Sequence, residues 1–279
     1  MTDDVRSTED PSGDTAVAPA QIGARLTGKI AFVTGSANGI GLAIARRFAL
    51  EGALVVVSDL DVAQTEEAAA RVQADVETVG GTGGAIPIAC NVAKGQDISQ
   101  AFRLIAQDHG RLDIIVNNAG INVRGDFRHI SDADWEAIRD VNLDGVIRVA
   151  RDGFELMKAS GAASLINLAS IMGHRGLRQL TGYSATKGAV SALTRGLAVE
   201  YAPFGIRVNA IAPGFIETAL TKRVLRNPMF SKALLDQTPL RRFGTGDEIA
   251  SAAVFLSSDD AAFITGAELA VDGGMAAGL

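Results

Sequence analysis

Short apolar runs alternate with longer segments of helical periodicity along most of the chain. The runs short enough to be buried strands are Ile30–Thr34, Leu54–Ser58, Ala85–Cys90, Leu112–Asn117, Ser164–Leu168, Ile206–Ile211 and Glu268–Val271. Helical spacing is found in Ile40–Glu51, Val62–Val79, Ile98–His109, Ala133–Ala159, Ser184–Tyr201 and Asp247–Ser257. Strands rich in Val, Ile and Leu that alternate with helices indicate a parallel sheet covered on both faces. With right-handed crossovers, this pattern predicts a doubly wound α/β sheet.

The first 26 residues differ from the rest of the chain. They are rich in Asp, Ser, Thr, Pro and Ala and show no periodicity, which predicts a mobile tail at 1–26 and one domain at 27–279. The tail is either dispensable or has a role in assembly. Its acidic start lacks the apolar segment of a secretory signal. No apolar stretch approaches the roughly 20 residues that cross a bilayer, so we expect no membrane partner and a cytoplasmic location.

Composition narrows the classes of function. The chain has 279 residues, of which 47% are hydrophobic and 21% charged, which suits a protein with a large buried core. A net charge of -6 and 5% aromatic residues give no reason to expect a nucleic-acid partner. Cys90 is the single cysteine, which excludes an intramolecular disulfide and a cysteine-based metal cluster. We expect no metal site and interpret Cys90 as a buried strand residue.

A glycine-rich loop, TGSANGIG at 34–41, joins the first strand to the first helix. Glycines let the backbone approach a pyrophosphate closely, and the helix N-terminus contributes free N–H groups and the positive end of its dipole. The G-x-x-x-G-x-G spacing departs from the commoner G-x-G-x-x-G, but the strand before it and the helix after it strengthen the signal. The sequence therefore predicts a dinucleotide site.

The second strand leads to Asp59, which lies 18 residues after Gly41. An acidic side chain there can accept hydrogen bonds from the adenosine ribose and would repel a 2′-phosphate. Neither Asn38 nor Leu60 offers a compensating positive charge. We therefore predict NAD rather than NADP as the cofactor. The alternative is that Asp59 is an ordinary cap at a strand end.

The candidate reaction chemistry lies after the fifth strand, at Ser170, Tyr183 and Lys187. Tyr183 and Lys187 are four positions apart and share one helical face. The ammonium group, together with the charge of an oxidised nicotinamide, should lower the phenol pKa from about 10. Ser170 can donate a hydrogen bond to the reacting oxygen. An isolated Tyr-x-x-x-Lys pair is usually a solvated helix face, but the glycine loop and Ser170 favour catalysis.

From about Leu26 to the C-terminus the chain resembles the short-chain dehydrogenase/reductase family. The matching motifs, in order, are TGSANGIG at 34–41, NNAG at 117–120, the Ser170/Tyr183/Lys187 trio, and Pro213-Gly214 followed by Ile216 and Thr218. The resemblance implies a single-domain, Rossmann-like sheet of seven parallel strands with helices on both faces. It also implies a homo-oligomer, with a tetramer favoured over a dimer.

The resemblance also assigns site residues. The implied catalytic residues are Asn142, Ser170, Tyr183 and Lys187, with Asn142 at a helix irregularity where it holds a water in a proton relay. The implied cofactor-binding residues are Gly35, Ser36, Asn38, Gly39, Ile40, Asp59, Asn91, Val92, Asn118, Ala119, Gly120, Tyr183, Lys187, Pro213, Gly214, Ile216 and Thr218. Asn91 departs from the Asp of many relatives, although an amide oxygen can still accept a hydrogen bond from the adenine.

Substrate selectivity should come from three loops, at Ile121–Phe127, Ile171–Thr181 and Phe215–Pro239. These loops carry Asn122, Arg124, His174, Arg175, Arg178 and Gln179. An arginine that reaches the pocket could bind a carboxylate in a bidentate manner, and the alternative is that each arginine faces solvent. Segments at 118–124, 218–221, 238–240 and 271–275 are similar to gluconate 5-dehydrogenases and related polyol or sugar-acid enzymes.

We therefore expect hydride transfer between nicotinamide and a small-molecule secondary alcohol or ketone, of the polyol or sugar-acid class. Reductases of 3-oxoacyl thioesters share much of the framework, but they usually prefer NADP and need a basic surface. A dehydrogenase of cyclic or terpenoid alcohols is a third alternative. A catalytically idle NAD-binding scaffold is a remote one, because Ser170, Tyr183 and Lys187 are all present.

Overall fold

The computed structural model describes residues 23–218 and 228–278. Within these ranges seven strands form one parallel sheet in the order β3-β2-β1-β4-β5-β6-β7. They are β1 (Ile30–Thr34), β2 (Leu54–Ser58), β3 (Gly84–Pro87), β4 (Ile114–Asn117), β5 (Ala163–Leu168), β6 (Ile206–Pro213) and β7 (Glu268–Val271). The seven-stranded, doubly wound α/β fold expected from the sequence is thus confirmed. The predicted tail falls outside the described residues as far as residue 22.

Helices cover both faces of the sheet. In the described ranges they are α1 (Gly39–Leu50), α2 (Val62–Thr78), α3 (Gly95–His109), α4 (Asp132–Arg139), α5 (Gly145–Asp152), α6 (Phe154–Ser160), α7 (Thr181–Tyr201), α8 (Pro228–Asp236) and α9 (Gly246–Ser257). Successive strand residues point to opposite faces. Val33 accordingly packs into the cluster beneath α1, α2 and α9, while Phe32 packs into the cluster beneath α3, α5 and α6.

The strand order reverses between β1 and β4, which are neighbours at the centre of the sheet. Ala31 of β1 lies in register with Val55 of β2 on one side and with Ile114 of β4 on the other. The connections from β1 and β4 leave in opposite directions, so a crevice remains at the carboxyl ends of these two strands. This crevice is where the chemistry-bearing loops meet.

Two predicted elements differ from the structure. The helical spacing over Ala133–Ala159 corresponds to three helices, because a π-helical turn at Asp140–Asp144, around Asn142 where an irregularity was expected, and a break at Gly153 divide it. A Cβ at Gly153 would lie 2.6 Å from the Ile115 side chain, so the chain packs closely on the sheet there. Cys90 is buried as expected, but β3 ends at Pro87, before it.

The chain segment before β1 is fixed to the domain by Glu51. This carboxylate is fully buried and lies 2.8 Å from the Arg25 guanidinium and 2.8 Å from that of Arg47. Leu26 is also fully buried in the core. In the part of the chain that the structure describes, no helix is long and apolar enough to cross a membrane.

Candidate active site

A cleft of about 440 Å³ opens at the carboxyl edge of the sheet, above β1 and β4. All of the predicted cofactor-binding residues line it except Ser36. Ser36 is fully buried, and its hydroxyl donates to the Val33 carbonyl at 2.7 Å and accepts from the Ser58 N–H at 2.8 Å. Ser36 thus joins the ends of β1 and β2 below the surface of the cleft.

The glycine loop brings backbone, not side chains, to the cleft. Gly35 has a φ of 63°, and a Cβ there would lie 2.8 Å from the Cα of Ala119. A Cβ at Gly41 would overlap the Gly35 carbonyl oxygen. Helix α1 begins at Gly39, and no side chain caps its N-terminus. The first N–H groups of α1 therefore have no capping side chain, and the adjacent loop has room for its backbone only because Gly35 and Gly41 lack a Cβ. This arrangement fits the pyrophosphate of a dinucleotide.

Thr34 and Asn118 connect this loop to the end of β4. The Thr34 hydroxyl accepts hydrogen bonds from the N–H groups of Asn118 and Ala119, each at 3.0 Å. The Asn118 side chain in turn donates to the carbonyl groups of Thr34 at 2.9 Å and Gly35 at 2.8 Å. Sequence reasoning placed Thr34 in the glycine motif but gave it no role; its hydroxyl orders both sides of the crevice.

Asp59 lies at the end of the cleft where an adenosine ribose would sit. Its carboxylate accepts from the Ala37 N–H at 3.0 Å and from the Leu60 N–H at 2.8 Å. The residue therefore caps the strand end and also lines the cleft, and its contact with a ribose stays a prediction. The structure adds a cation that sequence reasoning missed, because Arg71 on α2 donates to the Ala37 carbonyl at 3.4 Å.

Ser170, Tyr183 and Lys187 meet on the opposite side of the cleft. Ser170 follows β5 and Tyr183 lies in the first turn of α7, and both line the cleft. Lys187 is one turn further along, with its Nζ 5.7 Å from the centre of the Tyr183 ring. This Nζ donates to the Leu168 carbonyl at 2.6 Å. The structure therefore brings together three groups that are separated by up to 17 residues in sequence.

Burial dominates the electrostatics of this group. It raises the pKa of Tyr183, an effect that the hydrogen bond from Ser170 partly offsets. Burial also lowers the pKa of Lys187 to about 8. The protein alone thus keeps Tyr183 as a neutral phenol near neutral pH. The lowered phenol pKa expected from the sequence involves the cofactor's positive charge and stays a prediction for the cofactor-bound state.

Asn142 does not line the cleft but lies directly behind it. It is fully buried within the π-helical turn Asp140–Asp144. Its side-chain amide accepts from the Ile121 N–H at 2.8 Å and donates to the Ile121 carbonyl at 2.9 Å. A weaker hydrogen bond reaches the Thr186 hydroxyl at 3.3 Å. The helix irregularity thus faces the segment that follows NNAG and the helix that carries Tyr183.

The loop residues predicted from the sequence to select the substrate divide into two groups. Asn122 and Arg124 line the cleft, whereas His174, Arg175, Arg178 and Gln179 do not. The rest of this end is apolar, with Ile171, Met172, Leu180 and Phe215 on the wall. Residues 219–227, within the third predicted loop, lie outside the described part of the chain. This end of the cleft therefore combines the polar side chains of Asn122 and Arg124 with an apolar wall. The spacing of residues in the sequence did not predict this combination.

Comparisons with known proteins agree with this geometry. A family profile described as Enoyl-(Acyl carrier protein) reductase matches residues 35–276. A galactitol 2-dehydrogenase (L-tagatose-forming) of Cereibacter sphaeroides is 40% identical over 252 residues, covering 90% of this chain and 96% of that protein. A 3-oxoacyl-(acyl-carrier-protein) reductase of Thermotoga maritima is 36% identical over 251 residues, covering 90% and 99%.

A solved structure is similar over almost the whole chain. The gluconate 5-dehydrogenase from Burkholderia cenocepacia J2315, in complex with NADP and tartrate, superposes with a TM-score of 0.86. It is 36% identical, covering 92% of this chain and 98% of that one. The protein therefore belongs to the short-chain dehydrogenase/reductase family. As a member, it is an oxidoreductase that uses a nicotinamide cofactor on alcohol or ketone substrates.

Proposed function

We propose that the protein is an NAD-dependent dehydrogenase/reductase that transfers hydride between nicotinamide and a secondary alcohol or ketone, of the polyol or sugar-acid class. The observation that carries this proposal is that Ser170, Tyr183 and Lys187 line the same cleft, with the Lys187 ammonium one helical turn from Tyr183 and 5.7 Å from the centre of its ring. These three groups supply a proton carrier, a hydrogen-bond donor and a positive charge at one point of the cleft. No described residue outside this group offers the same combination there.

In alcohol oxidation, the Tyr183 oxygen takes the proton of the substrate hydroxyl. Ser170 donates a hydrogen bond to the substrate oxygen and steadies the negative charge that accumulates on it. Lys187 places a buried positive charge beside the tyrosine and favours its ionised form. A nicotinamide bound in the cleft supplies the hydride acceptor in this direction and the hydride donor in the other. In ketone reduction, Tyr183 returns the proton to the substrate oxygen.

The preference for NAD rests on Asp59. Its carboxylate faces the cleft and would stand close to a 2′-phosphate, where two negative charges repel each other. Arg71 opposes this repulsion, because its guanidinium carries a positive charge and lies beside Ala37 of the glycine-rich loop. The related gluconate 5-dehydrogenase structure contains NADP. We assign the larger effect to Asp59, because its side chain faces the cleft directly and Arg71 does not line it.

The substrate class rests on Arg124 and Asn122. In the described part of the chain, Arg124 has no hydrogen bond or ion pair, so its guanidinium can bind a carboxylate in a bidentate manner. Asn122 can bond with hydroxyl groups. The relatives named for galactitol and gluconate, the latter with tartrate in its complex, support a hydroxylated or anionic substrate.

A 3-oxoacyl thioester reductase is the second candidate. It is supported by the apolar wall formed by Ile171, Met172, Leu180 and Phe215, and by the relative from Thermotoga maritima. The two candidates differ in what must enter the cleft. A polyol or sugar acid would use Asn122 and Arg124, whereas an acyl chain would use the wall.

The test is nicotinamide absorbance for the purified protein with polyols, sugar acids, cyclic alcohols, a short 3-oxoacyl thioester and the matching ketones, each with NAD(H) and NADP(H). The chain has two tyrosines, so Tyr201→Phe is a matched control for Tyr183→Phe. Tyr201 lies at the other end of α7 and donates to the Ala150 carbonyl at 3.2 Å. We expect turnover that Tyr183→Phe lowers at least about 100-fold and Tyr201→Phe leaves intact. Near-normal turnover in Tyr183→Phe contradicts the proposal.

We also propose a homo-oligomer, a tetramer rather than a dimer. Phe263 is fully exposed just before β7, and Val199 on α7 is 77% exposed. The family resemblance carries this proposal, and contacts between subunits would cover these two side chains. Sedimentation velocity decides between a species of four chains and smaller ones. The cytoplasmic location expected from the sequence stays a prediction.

A further inference from the structure

Residues 171–180, between Ser170 and Tyr183, form one side of the cleft next to these two residues. We refer to residues 171–180 as the wall segment. Ile171, Met172 and Leu180 of this segment line the cleft. Apart from one short 3₁₀ turn at Ile171–Gly173, it has no regular secondary structure. Such a segment keeps its shape only through contacts with other parts of the molecule.

Two consecutive residues of the wall segment, His174 and Arg175, bind the C-terminal end of the chain. The Nε2 atom of His174 lies 2.8 Å from Oε1 of Glu268 on β7. The Arg175 guanidinium donates to the Met275 carbonyl. Neither side chain lines the cleft. The C-terminal end therefore supports the wall segment from the side opposite the substrate.

Packing reinforces these two contacts. Met275 is buried in one apolar cluster with Ile171, Met172 and Leu180, the three wall residues that face the cleft. The Oε2 atom of Glu268 is buried and has no hydrogen-bond partner in the described part of the chain. His174 is thus the described partner of a largely buried carboxylate. The His174 side chain is 56% exposed and that of Glu268 16%, so this contact is partly open to solvent and adds to the one made by Arg175.

The other end of the wall segment is held as well. Gln179 has a φ of 67°, in the left-handed region that residues with side chains seldom adopt. Its carbonyl accepts the Gly125 N–H at 3.4 Å. Such a backbone persists only where surrounding contacts maintain it. The wall segment is therefore fixed at its start by the C-terminal end and at its finish by the loop that carries Arg124.

We propose that His174 and Arg175 are positioning residues that hold the wall segment against the C-terminal end and thereby determine which substrates fit beside Ser170 and Tyr183. This role rests on the proposed function, because it concerns the substrate of the same site. Neither residue touches the substrate. The shape of the cleft thus depends on Glu268 and Met275, which lie about 100 residues further along the chain.

The test compares Arg175→Met with Arg175→Lys and with a control, Arg46→Met. Arg46 lies on α1 and forms an exposed ion pair with Asp75 of α2. We expect Arg175→Met to lower kcat/KM for the alcohol or ketone about 10- to 100-fold, mainly through KM, because the wall is displaced. The NADH dissociation constant, measured by fluorescence, stays within about twofold of the wild-type value. Arg175→Lys recovers part of the loss, since an ammonium still donates to a carbonyl.

His174 gives an independent pair of variants. His174→Gln keeps a donor for Glu268 and is expected to retain more activity than His174→Ala. Amide hydrogen exchange of residues 174–180 adds a readout that needs no turnover. Exchange should be faster in Arg175→Met and His174→Ala and unchanged in Arg46→Met.

The outcomes separate the two proposals. If the wild-type protein turns over no alcohol or ketone, the proposed function fails, while faster exchange in the variants still supports the contact between wall and C-terminal end. If neither kinetics nor exchange changes in Arg175→Met and His174→Ala, the positioning role is wrong. It is also wrong if NADH binding weakens as much as substrate turnover.

Discussion

The side-chain amide of Asn142 pairs with the backbone of Ile121 through two hydrogen bonds, at 2.8 Å and 2.9 Å. This pairing requires Asn142 to face the interior from a helix, which the π-helical turn at Asp140–Asp144 makes possible. Ile121 follows NNAG at the edge of the cleft, so the irregular turn and the cofactor loop form one unit. The fourth catalytic residue expected from the sequence therefore lies where it can order the site from behind.

Asn142→Ala should lower kcat about 100-fold and the free energy of unfolding by about 1 to 3 kcal/mol. The reason is that the Ile121 N–H and carbonyl lose their partners in a partly buried place. Asn142→Asp keeps the acceptor for the Ile121 N–H but places a buried carboxylate against the Ile121 carbonyl, so its stability should recover only in acid, where the side chain is protonated. Steady-state kinetics and urea unfolding measure the two effects. A wild-type kcat in Asn142→Ala would show that the pairing has no part in catalysis.

Lys187→Met should abolish turnover and raise the free energy of unfolding by about 1 to 3 kcal/mol at pH 7. The pKa of Lys187 is about 8 in the folded protein, against an ordinary value of 10.5. Between these values the unfolded chain holds a proton that the folded chain has released, so the stability of the wild-type protein rises with pH. The advantage of the methionine variant should therefore shrink as pH increases from 8 towards 10.5.

The control for this variant is Lys158→Met, in which an exposed ammonium is lost. Lys158 lies 3.7 Å from Glu155 at the surface of α6. Exposed pairs of this kind contribute roughly 0 to 1 kcal/mol. Thermal and urea unfolding over the alkaline range compare the two variants with the wild type. If the two variants change the free energy of unfolding equally at every pH, burial of the Lys187 ammonium does not destabilise the folded protein.

Asp59→Asn should raise the ratio of kcat/KM for NADP to that for NAD about 10- to 100-fold. The substitution removes the negative charge but keeps an oxygen that can accept from the Ala37 N–H. The matched control is Asp61→Asn, because Asp61 caps α2 through the Gln64 N–H and does not line the cleft. A wild-type preference for NADP, or an unchanged ratio in Asp59→Asn, contradicts the role assigned to Asp59.

Arg25→Met should lower the free energy of unfolding at pH 7 by about 1 to 2 kcal/mol. Burial by itself would raise the pKa of Glu51, but the hydrogen bonds from Arg25 and Arg47 outweigh it and hold that pKa below its usual value. A depressed carboxyl pKa contributes stability above the unfolded value and loses it as pH falls through the folded value. The difference between wild type and variant should therefore close in acid.

Thermal unfolding between pH 7 and pH 3 checks this expectation. Arg46→Met is the control, because it removes an arginine from an exposed pair with Asp75. That loss should stay below about 1 kcal/mol at every pH. A constant difference between wild type and Arg25→Met across the whole range would show that Glu51 is not the source of the stability.

Periodicity predicted the alternation of strands and helices because a parallel sheet buries both faces and demands nearly continuous apolar strands. It could not predict the π-helical turn, since the apolar spacing of Ala133–Ala159 continues through it. The inward turn of Asn142 depends on a partner, Ile121, that lies 21 residues earlier in the chain. Likewise, β3 stops at Pro87 where the sequence pattern runs on to Cys90.

The sequence by itself determined the chemistry of the site, because the glycine loop, Asp59, Ser170, Tyr183 and Lys187 are bound to local elements whose spacing is visible along the chain. Only the tertiary structure decided which loop residues line the cleft. In the structure Arg124 lines the cleft. His174 binds Glu268, 94 residues further along the chain, and Arg175 binds Met275, 100 residues further along. The direction of a loop side chain depends on the surface packed behind it, and no local pattern encodes that surface.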